Sequence, residues 1–244
     1  MSARVTVAVA LRVLSQLRRD PRTLALIIGV PCLLEALLEQ IFRGRSLVFQ
    51  QVGAPLLGLF PFVTMFLVTS ITMLRERTSG TLERLMTLPL GKLDLLAGYG
   101  LAFGALAVVQ AAVVSALTFG LLGLEVAGPR PVVVALAVAN AVLGTALGLF
   151  VSAFAQTEFQ AVQFMPAVVF PQILLCGLFV PRGAMAGWLR GLSDVFPLTY
   201  AYDALAHTAS NSLDGRFALD LVIVCGCIVL ALALGAATLR RRTP

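Results

Sequence analysis

Two glutamates stand four residues apart in an otherwise apolar run, Glu35 and Glu39, within residues 23–42. On a helix this spacing puts both on one face, toward the far end of the run. Carboxylates at membrane depth are costly and normally face protein or water, so the pair is a candidate to meet a cationic substrate or to couple transport to protons. The competing reading lets both reach the interface and pair with Arg43 or Arg45. Other reactive chemistry is sparse. His207 is the only histidine, so a zinc site built on histidine lacks its second ligand. Cys32, Cys176, Cys225 and Cys227 lie in apolar runs and read as small buried hydrophobes, not as disulfide or metal ligands. No Gly-x-Ser-x-Gly elbow and no Gly-x-x-x-x-Gly-Lys-Ser/Thr loop occurs. The expectation is therefore a chain with no catalytic residues, no metal and no cofactor of its own.

The most informative polar stretch is Arg75-Glu76-Arg77-Thr78-Ser79-Gly80-Thr81-Leu82-Glu83-Arg84-Leu85-Met86-Thr87-Leu88-Pro89-Leu90. Residues 81–86 fit a short amphipathic helix, with Leu82, Leu85 and Met86 on one face and Glu83 and Arg84 on the other. Gly80 lets the chain turn into it and Pro89 stops it. Such a charged helix beside a membrane is a handle for a soluble partner; a solvated loop that keeps two spans in register is the alternative.

The elements around these residues are apolar helices. Of 244 residues, 59% are hydrophobic and only 12% charged, with a mean hydropathy of +0.96. A soluble domain carries roughly 25% charge, so lipid must be the solvent for much of this chain. Six runs are long enough to cross: about residues 23–42, 52–74, 95–124, 132–155, 164–180 and 221–239. The fold class predicted is an all-α membrane protein in a single domain, residues 1–244. Residues 1–22 suit an amphipathic interfacial helix, and Asp20 and Pro21 suit the start of the first span. Residues 181–220 hold apolar stretches too short to span, which predicts short re-entrant or interfacial helices. Gly144 and Gly148 have the Gly-x-x-x-Gly spacing that permits close helix approach.

Charge sets the orientation. Arg4, Arg12, Arg18, Arg19, Arg22, Arg75, Arg77, Arg84, Lys92, Arg240, Arg241 and Arg242 fall on one side, against Arg43, Arg45, Arg130, Arg182, Arg190 and Arg216 on the other. Twelve against six favours cytoplasmic termini and an even number of spans. The net charge of +6 is scattered between apolar runs, so nucleic acid is not an expected partner.

The connector closely resembles the Glu-x-Glu/Arg-x-x-Gly-Thr-Leu-Glu-x-Leu…Pro signature of ABC-2 type permeases, the membrane subunits of a class of ATP-binding-cassette exporters. Cys176-Gly177-Leu178-Phe179-Val180-Pro181, Trp188-Leu189 and Phe196-Pro197-Leu198-Thr199-Tyr200-Ala201-Tyr202-Asp203-Ala204-Leu205 are similar to that family's outer hairpin and Pro-Leu-Thr-Tyr signature. Arg19-Asp20-Pro21-Arg22 is similar to its entry into the first span. The resemblance covers nearly the whole chain and is nearest the drug- and antibiotic-resistance branch, of the daunorubicin-exporter kind. It departs at Gly98-Tyr99, where the family often has Gly-Lys, and at Ala206, where arginine is common.

The resemblance implies a permease in the cell membrane that works as a dimer of identical or related chains, with two separate ATP-binding subunits that hold ATP and Mg. It implies ATPase coupling through Glu76, Gly80, Thr81, Leu82, Glu83, Arg84, Leu85 and Pro89, and an outer hairpin carried by Pro181, Trp188, Pro197, Leu198, Thr199, Tyr200 and Asp203. The cargo implied is an amphipathic drug, lipid or glycolipid. A secondary transporter or channel using Glu35 and Glu39 is the alternative, although the two halves show no convincing internal repeat.

Overall fold

The computed structural model describes residues 3–81, 91–211 and 215–238, and these are helical with short links. Helix α1 (Ala3–Arg18) buries Thr6, Val9, Ala10, Val13 and Leu17, a stripe at helical spacing, and leaves Val7 and Leu11 exposed. The stripe packs on α4 (Lys92–Gly120) against Leu95, Leu96, Tyr99, Ala102 and Phe103. Gly98 makes that contact close, because a Cβ there would lie 2.6 Å from the Val9 side chain and 2.9 Å from the Thr6 carbonyl oxygen.

Helix α2 (Pro21–Ile41) starts where the sequence predicts. Asp20 caps it, accepting from the Thr23 N–H at 3.2 Å and the Thr23 hydroxyl at 2.6 Å. Pro31 inside this helix has no N–H for the Ile27 carbonyl. Gln110 of α4 supplies the missing donor: its Nε2 lies 2.7 Å from that oxygen and 2.6 Å from Thr64 Oγ1. One amide thus ties α2, α3 and α4 together.

Helix α3 (Ser46–Thr78) is longer than the expected span 52–74, taking in most of the supposed link before it and the first residues of the connector. Gly80 ends the turn with φ +71°, a left-handed conformation that strains any residue with a Cβ. Helix α5 (Arg130–Val151) makes its most extensive contact with α3. There the Gly-x-x-x-Gly pair does what its spacing allows: Cβ atoms at Gly144 and Gly148 would lie 2.2 Å from Phe62 O and 2.6 Å from Phe66 O.

The expected fifth span, 164–180, is displaced and broken. Its helical run begins earlier, at α6 (Glu158–Phe164), capped by Thr157, whose hydroxyl accepts from the Gln160 N–H at 3.2 Å. The run widens into a π-helical turn (Met165–Val169) and ends early as α7 (Phe170–Leu175). Pro166 and Pro171 are the cause, since each removes an N–H and crowds the carbonyl four residues back. Beyond it, Gly177 turns with φ +109°. A 3-10 turn (Arg182–Ala184), α8 (Gly187–Ser193) and α9 (Pro197–Ala209) follow. Helix α9 packs into the bundle against α3, α5 and α10 (Gly215–Thr238). Gly58 admits it, lying close to Leu205 and Asn140.

Among the described residues, five helices, α2, α3, α4, α5 and α10, are long and apolar enough to cross a membrane. Only 17% of the span window is buried in each of α2 and α10, against 61% in α3 and α5, so the first pair presents most of its apolar surface outward.

Candidate functional site

Functional side chains gather in three places along the bundle. At the connector end, the last turn of α3 carries Arg75, Glu76 and Arg77. Successive helical residues point about 100° apart, and here Arg75 and Glu76 meet different neighbours. Glu76, only 8% exposed, accepts from Arg12 Nη2 of α1 through both oxygens at 3.1 Å. Arg75 grips Glu158, the first residue of α6, through Nε at 2.8 Å and Nη2 at 3.0 Å. A cleft of about 290 Å³ opens beside this fork, bounded by Leu17, Asp20, Thr72, Arg75, Glu76 and Thr81.

Of the residues assigned to ATPase coupling, Glu76, Gly80 and Thr81 therefore line or adjoin one structured corner. Leu82, Glu83, Arg84, Leu85 and Pro89, with the predicted connector helix, lie outside the described residues. Sequence reasoning missed Arg12 and Glu158 as partners. Their signal was faint: a single charge amid an apolar stripe, and a lone carboxylate just after a capping threonine.

Between the connector end and the hairpin end, in the second half of α2, Glu35 is completely buried, and among the described residues neither carboxylate oxygen has a hydrogen-bond partner. Glu39, one turn on, is partly exposed and accepts from Gln40 Nε2 at 2.8 Å. The two share a face by spacing but not an environment. Among the described residues, neither pairs with Arg43 or Arg45. A bare charge at such a site costs several kcal/mol, of the order found for unpaired buried ions.

The third group sits at the hairpin end. Arg182 donates through Nη1 to Asp203 Oδ2 at 2.8 Å and also pairs with Asp194, joining the 3-10 turn to the end of α8 and to α9. Burial pushes the Asp203 carboxyl up, against the opposing pull of Arg182, His207 and Arg216. Ser193 donates to Leu175 O at 2.9 Å, Thr199 to Ser193 O at 2.8 Å, and Tyr200 to Asp194 O at 2.7 Å. Thr199, Tyr200 and Asp203 thus converge on the hairpin, with Pro197 starting α9 and Leu198 buried beneath it. Trp188 does not join them; it is 72% exposed. Arg182 and Asp194 were not expected from the sequence, although they hold the group together.

Residues 4–209 match the ABC-2 type transporter family. A stretch of 148 residues, 61% of the chain, is 27% identical to the probable multidrug ABC transporter permease YbhR of Escherichia coli K12, covering 40% of that protein. The linearmycin resistance permease protein LnrN of Bacillus subtilis is 26% identical over 163 residues, 66% of this chain and 41% of its own length. ABC transporter G family member 20 of Dictyostelium discoideum is 26% identical over 147 residues, 60% of this chain and 20% of that protein. The matched region thus spans between a fifth and about two fifths of these relatives' length. With the match over most of its length and several membrane-length helices, this multi-pass membrane chain belongs to the ABC-2 type transporter family.

Proposed function

We propose that this chain is the permease subunit of an ATP-driven exporter that moves an amphipathic drug or lipid-like molecule out of the cytoplasm or the inner leaflet. In this reading the connector end faces the cytoplasm, α1 lies in the interface, and residues 158–175 form a sixth, broken span. At ~1.5 Å per residue that run is roughly 27 Å long, close to the ~30 Å hydrocarbon core. Two such permease chains, identical or related, form one domain each of a dimer in the cell membrane. Two separate ATP-binding subunits dock beneath them and bind ATP and Mg. Relatives named for multidrug and linearmycin resistance support a drug-like cargo.

The observation that carries this reading is the fork at the end of α3. The chain enters the connector directly from a turn whose neighbouring charges grip α1 and α6. A push on the connector is thereby delivered to the interfacial helix and to the broken span together. The Arg75–Glu158 pair is exposed, at 61% and 54%, so it contributes less than about 1 kcal/mol to stability, and its loss leaves the fold intact. The test is drug efflux and ATP hydrolysis by the reconstituted complex. Arg75→Glu and Glu158→Arg each uncouple hydrolysis from efflux, and the double swap restores coupling; equal coupling in all four proteins refutes the fork's role. Gly80→Pro uncouples as well, because φ +71° is closed to proline.

One observation favours a second reading, ion-coupled transport without ATP: the buried, unpartnered carboxylate of Glu35. Efflux by Glu35→Gln that is normal in rate and substrate range removes it.

A further inference from the structure

The chamber at the hairpin end has an imbalance that the hairpin's architecture does not use. It is about 570 Å³ in volume, and its wall carries Arg182, Arg190, Arg216 and His207 against only two carboxylates, Asp194 and Asp203. Both carboxylates are taken by one guanidinium, Arg182, and Asp203 also feels His207 and Arg216. Arg190 forms no side-chain ion pair or hydrogen bond with any described residue, although it lines the same space. Arg190 therefore presents unmet donors to the cavity, and the acids that would otherwise attract a cation are already engaged.

We propose that this chamber binds an oxyanion, a phosphate or carboxylate head, held by the guanidinium of Arg190. Planar guanidinium groups suit such oxygens because they donate two parallel bonds. The volume suits a head group of several heavy atoms better than a bare ion. Phe179, Trp188 and Val195, each within two residues of a lining residue in the chain, are 66%, 72% and 73% exposed, and exposed apolar side chains of this kind suit an attached apolar chain. The same oxyanion can arrive on a membrane lipid or on a water-soluble molecule. The inference goes beyond export itself and needs neither an ATPase nor a direction of transport.

The experiment uses the purified chain in phosphatidylcholine nanodiscs with and without phosphatidylglycerol. Retained lipid is read by native mass spectrometry, and soluble glycerol 3-phosphate is the second probe, read by thermal shift. Wild type is expected to retain phosphatidylglycerol in preference to phosphatidylcholine. Arg190→Gln weakens that retention about tenfold, the order expected for one charge-assisted hydrogen bond, and Arg190→Lys keeps part of it. Arg43→Gln, an exposed arginine outside the chamber, leaves it unchanged. Stabilisation of wild type but not Arg190→Gln by glycerol 3-phosphate supports the site with a soluble anion as its ligand. If neither probe separates wild type from Arg190→Gln, or if Arg43→Gln weakens retention equally, the site does not exist. Arg190 is exposed on a short surface helix, so equal melting temperatures without probe confirm that the variants are folded.

Discussion

Replacing Gly144 by alanine tests the packing on which the rest of the bundle depends. The added Cβ would sit 2.2 Å from Phe62 O, 3.0 Å from Phe62 C and 3.1 Å from its Cα, all backbone atoms of α3. No side chain can rotate away, so α3 and α5 must separate by roughly 1 Å to restore ordinary contact. That separation loosens a seam that includes Phe62, Phe66 and Leu143. Overpacking of this kind costs about 3 kcal/mol, of which alanine's better helix propensity offsets about 1. The net of about 2 kcal/mol lowers the melting temperature by roughly 4–8 °C for a chain of this size. Gly104→Ala is the matched control: the glycine lies inside α4 with nothing within 4 Å of the new Cβ, so only the propensity gain remains. Its melting temperature should hold or rise. Thermal unfolding of the two variants in detergent, followed by size exclusion, makes the comparison. Equal melting temperatures would refute the claim that backbone contact at Gly144 sets the α3–α5 distance.

Three further outcomes are expected. Gly98→Ala pushes Val9 and the Thr6 carbonyl away and lifts α1 from α4; faster proteolysis within residues 3–18, with little change in overall melting, reports it. Gln110→Leu leaves the Ile27 carbonyl without a donor and costs about 1–3 kcal/mol. Adding Pro31→Ala returns a backbone N–H four residues on and should recover part of the lost melting temperature, whereas no recovery contradicts the bridging role. Asp20 is held below the usual carboxylate range by the hydroxyl and N–H of Thr23. Its capping contribution is therefore complete above the unfolded value of about 3.9 and is lost as pH falls through the lower folded value. Wild type should melt above Asp20→Ala at neutral pH, and the gap should close only below about pH 4.

Much of the architecture is readable from one dimension. Backbone polar groups in lipid must be satisfied within their own segment, so long apolar runs are forced to be helices wherever they finally pack. The starts at Asp20-Pro21 and the turn at Gly80 depend on neighbours in the chain and were equally legible. The fifth run shows the limit. Its apolar residues suggest a span over 164–180, but the helix starts at Glu158 on a threonine cap and breaks where two prolines disturb the ladder. Hydropathy registers neither effect.

The site divides in the same way. Glu76, Gly80 and Asp203 were singled out by the resemblance of their segments to the family's motifs, whereas Arg12, Glu158 and Arg182 were not. Arg12 meets Glu76 across 64 positions, and Arg75 meets Glu158 across 83. Local sequence carries no record of such contacts, because they exist only once α1, α3 and α6 are docked. Burial is decided in the same step. Glu35 and Glu39 are indistinguishable in the sequence, yet docking encloses the first completely and leaves the second near solvent. Membrane residence follows from composition and the length of the apolar runs, because lipid acts on each segment separately. The charge fork and the enclosed carboxylate follow from tertiary packing, because each needs helices far apart in the chain. The arginine-lined chamber follows from it too, because it closes only when the segments of residues 177–216 fold against one another.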